Sequence, residues 1–306
     1  MVILLNKSSN SGNAALKWNK IKPHIFNKFP EINIIEANNI ADNLIIDAVA
    51  NGEKEFISAG GDGTLNFLIN ILMRNSFDLE INKLKIGAIG LGSSNDFHKP
   101  YNKSICSIPI RIDFDNCNLC DVGVIEYVDE DSSVNIKYWV INSSIGILAD
   151  ANKYFNHKGL IWDLFKRSFV GGAILYSALT TIAKYKNKNC SLSSENLINR
   201  NAVISNIGIT KNPNFAGDFS YPVSYNPSNG LFNFHLLENS NLFETLLTLR
   251  KLWKNKKNPI LNIQSGETNS IEISSDNPIN IEYDGEVIST VKAKFSIMTK
   301  AINLCR

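Results

Sequence analysis

One stretch constrains this chain more than any other: Glu55-Phe56-Ile57-Ser58-Ala59-Gly60-Gly61-Asp62-Gly63-Thr64-Leu65-Asn66. A short apolar run of strand character ends in three glycines within four residues. An apolar pattern of helical period follows at Leu65, Leu68, Ile69 and Leu72. Glycine lets the backbone turn sharply and come close to a ligand. A helix starting at Thr64 then aims its positive end, and its converging N–H groups, at the same spot. The guest this predicts is a phosphate. Asp62 is the odd member, because a bare carboxylate repels phosphates. It makes sense if it holds Mg²⁺ or takes a proton from an attacking hydroxyl. The loop therefore points to phosphoryl transfer rather than nucleotide storage.

The surrounding sequence alternates strand and helix. Strands are expected at Val2–Leu5, Ile32–Glu36, Glu55–Ser58 and Lys85–Ile89. A helix after Ser11-Gly12 carries Ala15, Leu16, Ile21 and Ile25 on one face. A second, Ile40–Ala50, carries Leu44, Ile45, Ala48 and Val49. Single helices between strands predict a parallel sheet with right-handed crossovers, whose ligands sit beyond the carboxyl ends of the strands. Three Gly-, Ser- and Asn-rich loops fall there: 6–12, 60–66 and 90–96. In the last of these, Gly90-Leu91-Gly92-Ser93-Ser94-Asn95-Asp96-Phe97, small hydroxyls can donate to phosphate oxygens. Ser94 or Asn95 can instead cap a short helix. Neither a Walker A loop nor a Gly-x-Gly-x-x-Gly fingerprint is present.

After about residue 108 the pattern becomes a series of short alternating strands: Asn118–Tyr127, Val134–Ile141, Asn201–Ile209, Leu231–Leu237, Ile271–Ser274 and Ile279–Tyr283. Helical insertions are expected at about 149–157, 160–185 and 241–254. The run Ala293–Met298 is left free to join either half. A chain of 306 residues exceeds what one core usually serves. The expected organisation is a nucleotide-binding α/β domain over 1–120, completed by 290–306, and a β-rich domain over 121–289.

Composition narrows the partners little. Hydrophobic residues make up 44%, charged residues 20%, and the net charge is +2, which favours no nucleic-acid partner. The opening apolar run is too short for a signal peptide. The uncharged stretch from Ser168 to Ala183 is short of the roughly 20 residues a span needs, so no transmembrane segment is expected. Five scattered cysteines fit a reducing cytoplasm, and Cys117-x-x-Cys120 reads as packed strand cysteines. His24, His98, His157 and His235 lack ligand spacing. The basic run Arg250-Lys251-Leu252-Trp253-Lys254-Asn255-Lys256-Lys257 suits an anionic membrane or a solvated helix end. Tyr283-Asp284-Gly285-Glu286 has the form of a hairpin turn, with two carboxylates beside a flexible residue.

Taken together, these motifs resemble the diacylglycerol kinase catalytic-domain family, in particular soluble bacterial lipid kinases, with sphingosine and ceramide kinases as relatives. The resemblance runs along essentially the whole chain, from the segment Asn6–Gly12 through Gly60–Asn66, Gly92–Phe97, Asp121-Val122-Gly123 and Asn142 to Ala149. It continues through Ser205-Asn206, Phe215-Ala216-Gly217, Asn229-Gly230-Leu231 and Asp284-Gly285-Glu286. It implies an α/β Rossmann-like nucleotide-binding domain plus a mostly β sandwich domain with helical insertions. It implies transfer of the γ-phosphoryl of ATP, with Mg²⁺, to a lipid hydroxyl such as that of diacylglycerol.

By this resemblance, Asn6, Gly60, Gly61, Asp62, Gly63, Thr64, Leu65, Asn66, Ser93, Ser94 and Asn95 bind nucleotide. The proton acceptor is among Glu286, Asp284 and Asp62, with Glu286 favoured. A structural Mg²⁺ in bacterial members implies one at Asn226, Asn229 and Leu231, although Asn229 replaces an acid and removes a charge. Ser93 stands where the family has threonine. The implied setting is cytoplasmic and peripheral to a membrane that presents the lipid, with a homodimer left open. Two rival readings share the first loop: a NAD kinase-like enzyme, and a nucleotide-binding regulator without turnover.

Overall fold

The computed structural model describes residues 1–75, 80–101, 103–129, 131–156, 180–194, 197–253, 260 and 262–305. The chain divides into two compact units, residues 1–121 with 299–306, and residues 122–298.

In the first unit, β1 (Val2–Leu5), α1 (Asn13–Lys28), β2 (Asn33–Glu36), α2 (Ala41–Ala50), β3 (Glu55–Gly60), α3 (Asp62–Arg74) and β4 (Lys85–Gly90) alternate as expected. The strands pair in parallel in the order β2, β1, β3, β4. Residues 303 and 304 add a further parallel edge beside Lys85 and Ile86. All four residues of β1 are buried, which is why it reads as an unbroken apolar run. A small hairpin, β5 (Ser104–Ile105) and β6 (Ile108–Arg111), attaches antiparallel to β4.

Two helix faces differ from expectation. The buried residues of α1 are Ala14, Trp18, Ile21 and Ile25, whereas Leu16 is exposed. Trp18 takes its place because 14, 18, 21 and 25 share one face at helical spacing, whereas 16 lies on the opposite side. In α2, Ala41 and Ile45 face inward and Leu44 does not. Cys117 and Cys305 form a disulfide within this unit, so the expectation of reduced, separately packed thiols fails for these two. They are 188 residues apart in sequence, a pairing that spacing does not reveal.

Among the described residues the strand pairings inside the second unit are antiparallel. Its last strand, Glu286–Cys305, runs on into the first unit, where residues 303 and 304 make the parallel pairing with Lys85 and Ile86. Its elements are β7 (Cys117–Val128, which begins in the first unit), β8 (Val134–Trp139), β9 (Asn142–Gly146), α4 (Ile147–Asn156), β10 (Lys188–Ser194), β11 (Leu197–Thr210), β12 (Asn214–Phe215), β13 (Phe219–Ser220), β14 (Phe232–Glu238), α5 (Leu242–Trp253), β15 (Gln264–Thr268), β16 (Ser270–Tyr283) and β17 (Glu286–Cys305). β10 lies between β11 and β16, and β14 joins β11 to β15. β9 pairs with both β11 and β16. The runs 271–274 and 279–283 are one strand with a register irregularity between Ser274 and Ile279. β10 and β15, rich in Ser, Asn and Gly, carry too weak a β signal for the sequence to reveal them. Gly123 is required where it is: a Cβ there would lie 1.9 Å from Cε2 of the fully buried Trp139.

Most of the helical insertion expected at 160–185, most of the uncharged stretch 168–183, His157 and the basic residues 254–257 lie outside the described residues. Among the described residues no helix is long and apolar enough to cross a membrane.

Candidate functional site

The first unit brings its three polar loops together at the ends of β1, β3 and β4. α3 begins at Asp62, two residues earlier than the apolar pattern suggested, with Gly61 at its cap in extended conformation. The N–H groups of Thr64 and Leu65 turn back to the Gly61 carbonyl, at 3.0 and 3.2 Å. Helix geometry leaves the N–H of Gly63 with no intrahelical acceptor, at the positive end of the helix. Asn6 reaches this turn directly, its Nδ2 donating to Thr64 Oγ1 at 3.1 Å. Its Oδ1 accepts the N–H groups of Ser8 and Ser9 and so shapes the first loop.

The second loop is pressed against the first. A Cβ on Gly92 would lie 2.5 Å from Gly61 Cα, so a side chain at 92 would drive the loops apart. The N–H groups of Leu91 and Gly92 both donate to the Gly60 carbonyl. Asp62 completes the join: its Oδ2 accepts the Asp96 N–H at 2.9 Å and its Oδ1 the Phe97 N–H at 3.1 Å. Asn95 stands at the cap of a 3-10 turn with φ 49°, but its side chain does not cap. Its Nδ2 donates to the Gly92 carbonyl instead. Ser93 is exposed, Ser94 is half-buried, and Leu65 and Asn66 are buried in α3. Asn66 Oδ1 accepts from Asn70 Nδ2, so its side chain serves the helix.

Behind the loops, Ser58 Oγ, Asn95 Oδ1 and His98 Nδ1 are buried without a hydrogen-bond partner. All three residues line one cavity of about 10 Å³, together with Gly60, Gly61 and Asp62. That is room for roughly one water. Burial, with Arg111 adding repulsion, lowers the His98 pKa to about 3.

In the second unit, Asp284 and Gly285 form a two-residue turn between β16 and β17 with φ 46° and 96°. Positive φ at both positions is the tight hairpin turn that matches strand twist. The buried Asp284 carboxylate accepts the backbone N–H groups of Val140, Ile141 and Asn142 at 2.8, 2.9 and 3.0 Å. Beside it, Glu282 accepts from Ser144 Oγ and from the Gly285 N–H. Glu286 differs from both, since its side chain is exposed. Crowding by its neighbours raises its carboxyl pKa, Lys137 pulls the other way, and solvent contact tempers the shift.

The residues named for a structural Mg²⁺ do not fit one. Lys211 Nζ donates to Asn229 Oδ1 at 3.0 Å and to the Leu231 carbonyl at 2.6 Å. Two of the three expected oxygen ligands thus already face a fixed cation. Asn226 Oδ1 accepts the Ser228 N–H within its own turn. Among the described residues no cluster of three or more His, Cys, Asp or Glu could hold a metal.

Three residues escaped the sequence reading. Half-buried Lys17 donates from Nζ to the Gly92 carbonyl at 2.7 Å, its pKa lowered by burial. Lys211 and Glu282 are the others. Each makes a contact with a segment at least eighteen residues away, Gly92 for Lys17, Ser144 for Glu282 and Asn229 for Lys211, which spacing along the chain does not signal.

Comparison with known proteins bears on this arrangement. The family model for the diacylglycerol kinase catalytic domain matches residues 1–108. A protein from Yersinia enterocolitica named "Probable lipid kinase YegS-like" is 25% identical over 268 residues, covering 87% of this chain and 83% of its own. A diacylglycerol kinase from Staphylococcus aureus is 24% identical over 289 residues, covering 88% and 82%. A crystal structure of a diacylglycerol kinase from Bacillus anthracis superposes with a TM-score of 0.63 at 14% identity, covering 99% of this chain and 95% of that one. Yeast NADH kinase with NADH superposes with a TM-score of 0.52 at 11% identity, covering 99% and 81%.

Proposed function

We propose that this chain, which belongs to the diacylglycerol kinase catalytic-domain family, is a lipid kinase that transfers the γ-phosphoryl of ATP to a lipid hydroxyl in the presence of Mg²⁺. The observation that carries the reading is the pair of hydrogen bonds that the Asp62 carboxylate accepts from the Asp96 and Phe97 N–H groups, which locks two glycine loops around one helix N-terminus. The parallel order of β2, β1, β3 and β4 supports a Rossmann-like nucleotide domain. In the proposed mechanism, Gly60–Asn66 and Ser93–Asn95 receive the phosphates, with Asn6 and Lys17 bracing the loops. Asp62 then acts as a positioning residue, since both its oxygens already accept N–H groups.

Glu286 is the proposed base. It is exposed, whereas Asp284 spends its oxygens on three backbone donors. Mg²⁺ would be held chiefly by the triphosphate, where it supplies charge neutralisation. This chain contributes positioning and proton removal.

The test is incubation with [γ-³²P]ATP and a total lipid extract, followed by identification of the labelled lipid. Labelled lipid that disappears in Glu286→Gln supports the reading. Label in NAD or NADH, or ATP binding with no transfer, overturns it.

A further inference from the structure

Helix α5 is built the wrong way round for a helix that faces water. Its buried side chains are Thr245, Thr248 and Leu252, packed with Leu249 near Phe215, Tyr221 and Ile260. Its exposed apolar side chains are Leu242, Phe243, Leu246, Leu247 and Trp253, at 53, 68, 37, 38 and 55% exposure. At 3.6 residues per turn these five cover an arc of about 140°. Thr245 donates its buried hydroxyl to Ser240 Oγ, so the inward face mixes two threonines with Leu249 and Leu252 while the outward face is more apolar.

Charge along the helix is just as uneven. Glu244 is its one acid and belongs to a capping box, in which the Asn241 N–H donates to Glu244 Oε2 and the Glu244 N–H to Asn241 Oδ1, each at 3.0 Å. Arg250 and Lys251 occupy the last turn beside exposed Trp253. The sequence then continues with Lys254, Lys256 and Lys257.

We infer that α5 is a membrane-docking helix, lying in the surface of a bilayer that contains anionic lipid. The leucines and Phe243 enter the acyl boundary, and Trp253 sits at headgroup level. Arg250 falls inside the apolar arc, which decides between occupants. A second protein copy would have to bury that guanidinium, whereas a bilayer meets it with phosphate while its stem stays in apolar surroundings. The inference rests on the lipid-kinase reading for its purpose, since it names the surface that would bring the enzyme to its acceptor.

Co-sedimentation of the full chain, without ATP, with phosphatidylcholine vesicles lacking or containing phosphatidylglycerol tests it. The wild type should bind the anionic vesicles, and more weakly as salt rises. Phe243→Ser with Leu247→Ser should lower the partition coefficient about tenfold or more at every salt concentration. Arg250→Gln with Lys251→Gln should remove the anionic preference. Absence of vesicle binding by the wild type, or wild-type binding by both variants, overturns the docking surface. So does a dimer on light scattering that Phe243→Ser dissociates and that does not bind vesicles. Phosphorylation of lipid in detergent micelles keeps the two readings apart. Both variants should match the wild type there, and loss of micellar activity in the wild type would defeat the kinase reading while leaving the vesicle result standing.

Discussion

Asp62 Oδ2 accepts the backbone N–H of Asp96 at 2.9 Å, across 34 residues of sequence, and its partner oxygen does the same for Phe97. Asp62→Asn keeps one acceptor and turns an amide NH₂ toward the other N–H. A part-buried donor left opposed costs about 1–3 kcal/mol. The expected outcome is a lower melting temperature together with a raised KM for ATP. An unchanged KM would show that the loops keep their geometry without this bond.

Gly92→Ala probes the same junction from the backbone side. Its Cβ would meet Gly61 Cα at 2.5 Å, and backbone cannot rotate away as a side chain can. Overpacking of this kind costs about 1–3 kcal/mol. The strain falls on the proposed phosphate site, so ATP affinity should drop more than stability does. Isothermal titration beside a thermal melt measures both.

Glu286 carries a pH prediction. A base works only when charged, and crowding raises its carboxyl pKa. Activity should therefore rise with pH through a midpoint above the free glutamate value of about 4.3. Glu286→Gln should lose about a hundredfold or more in kcat with ATP binding unchanged. A variant of undiminished kcat would move the base elsewhere.

Histidine burial sets the acid limb of stability. His98 and His235 are each lowered to about 3 by burial, while the unfolded chain takes its proton near 6.5. Between those values the unfolded state binds more protons, so stability falls as pH falls from about 6.5, by up to about 1.4 kcal/mol per unit for each histidine. Denaturant melts at about pH 7 and about pH 5 should show this loss, and His98→Gln should reduce it.

Lys211 bears on metal dependence. Its ammonium holds Asn229 Oδ1 and the Leu231 carbonyl. Chelation should leave the melting temperature unchanged, and Lys211→Ala should lower it. Adding Asn226→Asp and Asn229→Asp to Lys211→Ala should make the melting temperature rise with Mg²⁺. A chelator-sensitive wild type would contradict this account.

The sequence by itself determined the parallel sheet and the glycine turn into α3, because their signals are local. An apolar strand such as Val2–Leu5 reads directly as buried. Three glycines around Asp62 let the backbone turn sharply between strand and helix, and that signal sits within a few residues. The hairpin at Asp284-Gly285 was equally readable from its two turn residues.

The tertiary structure decided what each polar group does. Asp62 latches a second loop, Asp284 gathers three distant N–H groups, and Lys211 stands where a metal was expected. It also paired Cys117 with Cys305 and turned the apolar face of α5 outward. Each of these outcomes depends on which distant segment lies within hydrogen-bonding or packing range. Periodicity and spacing record only a residue's neighbours along the chain, so these outcomes became visible only once the chain was folded.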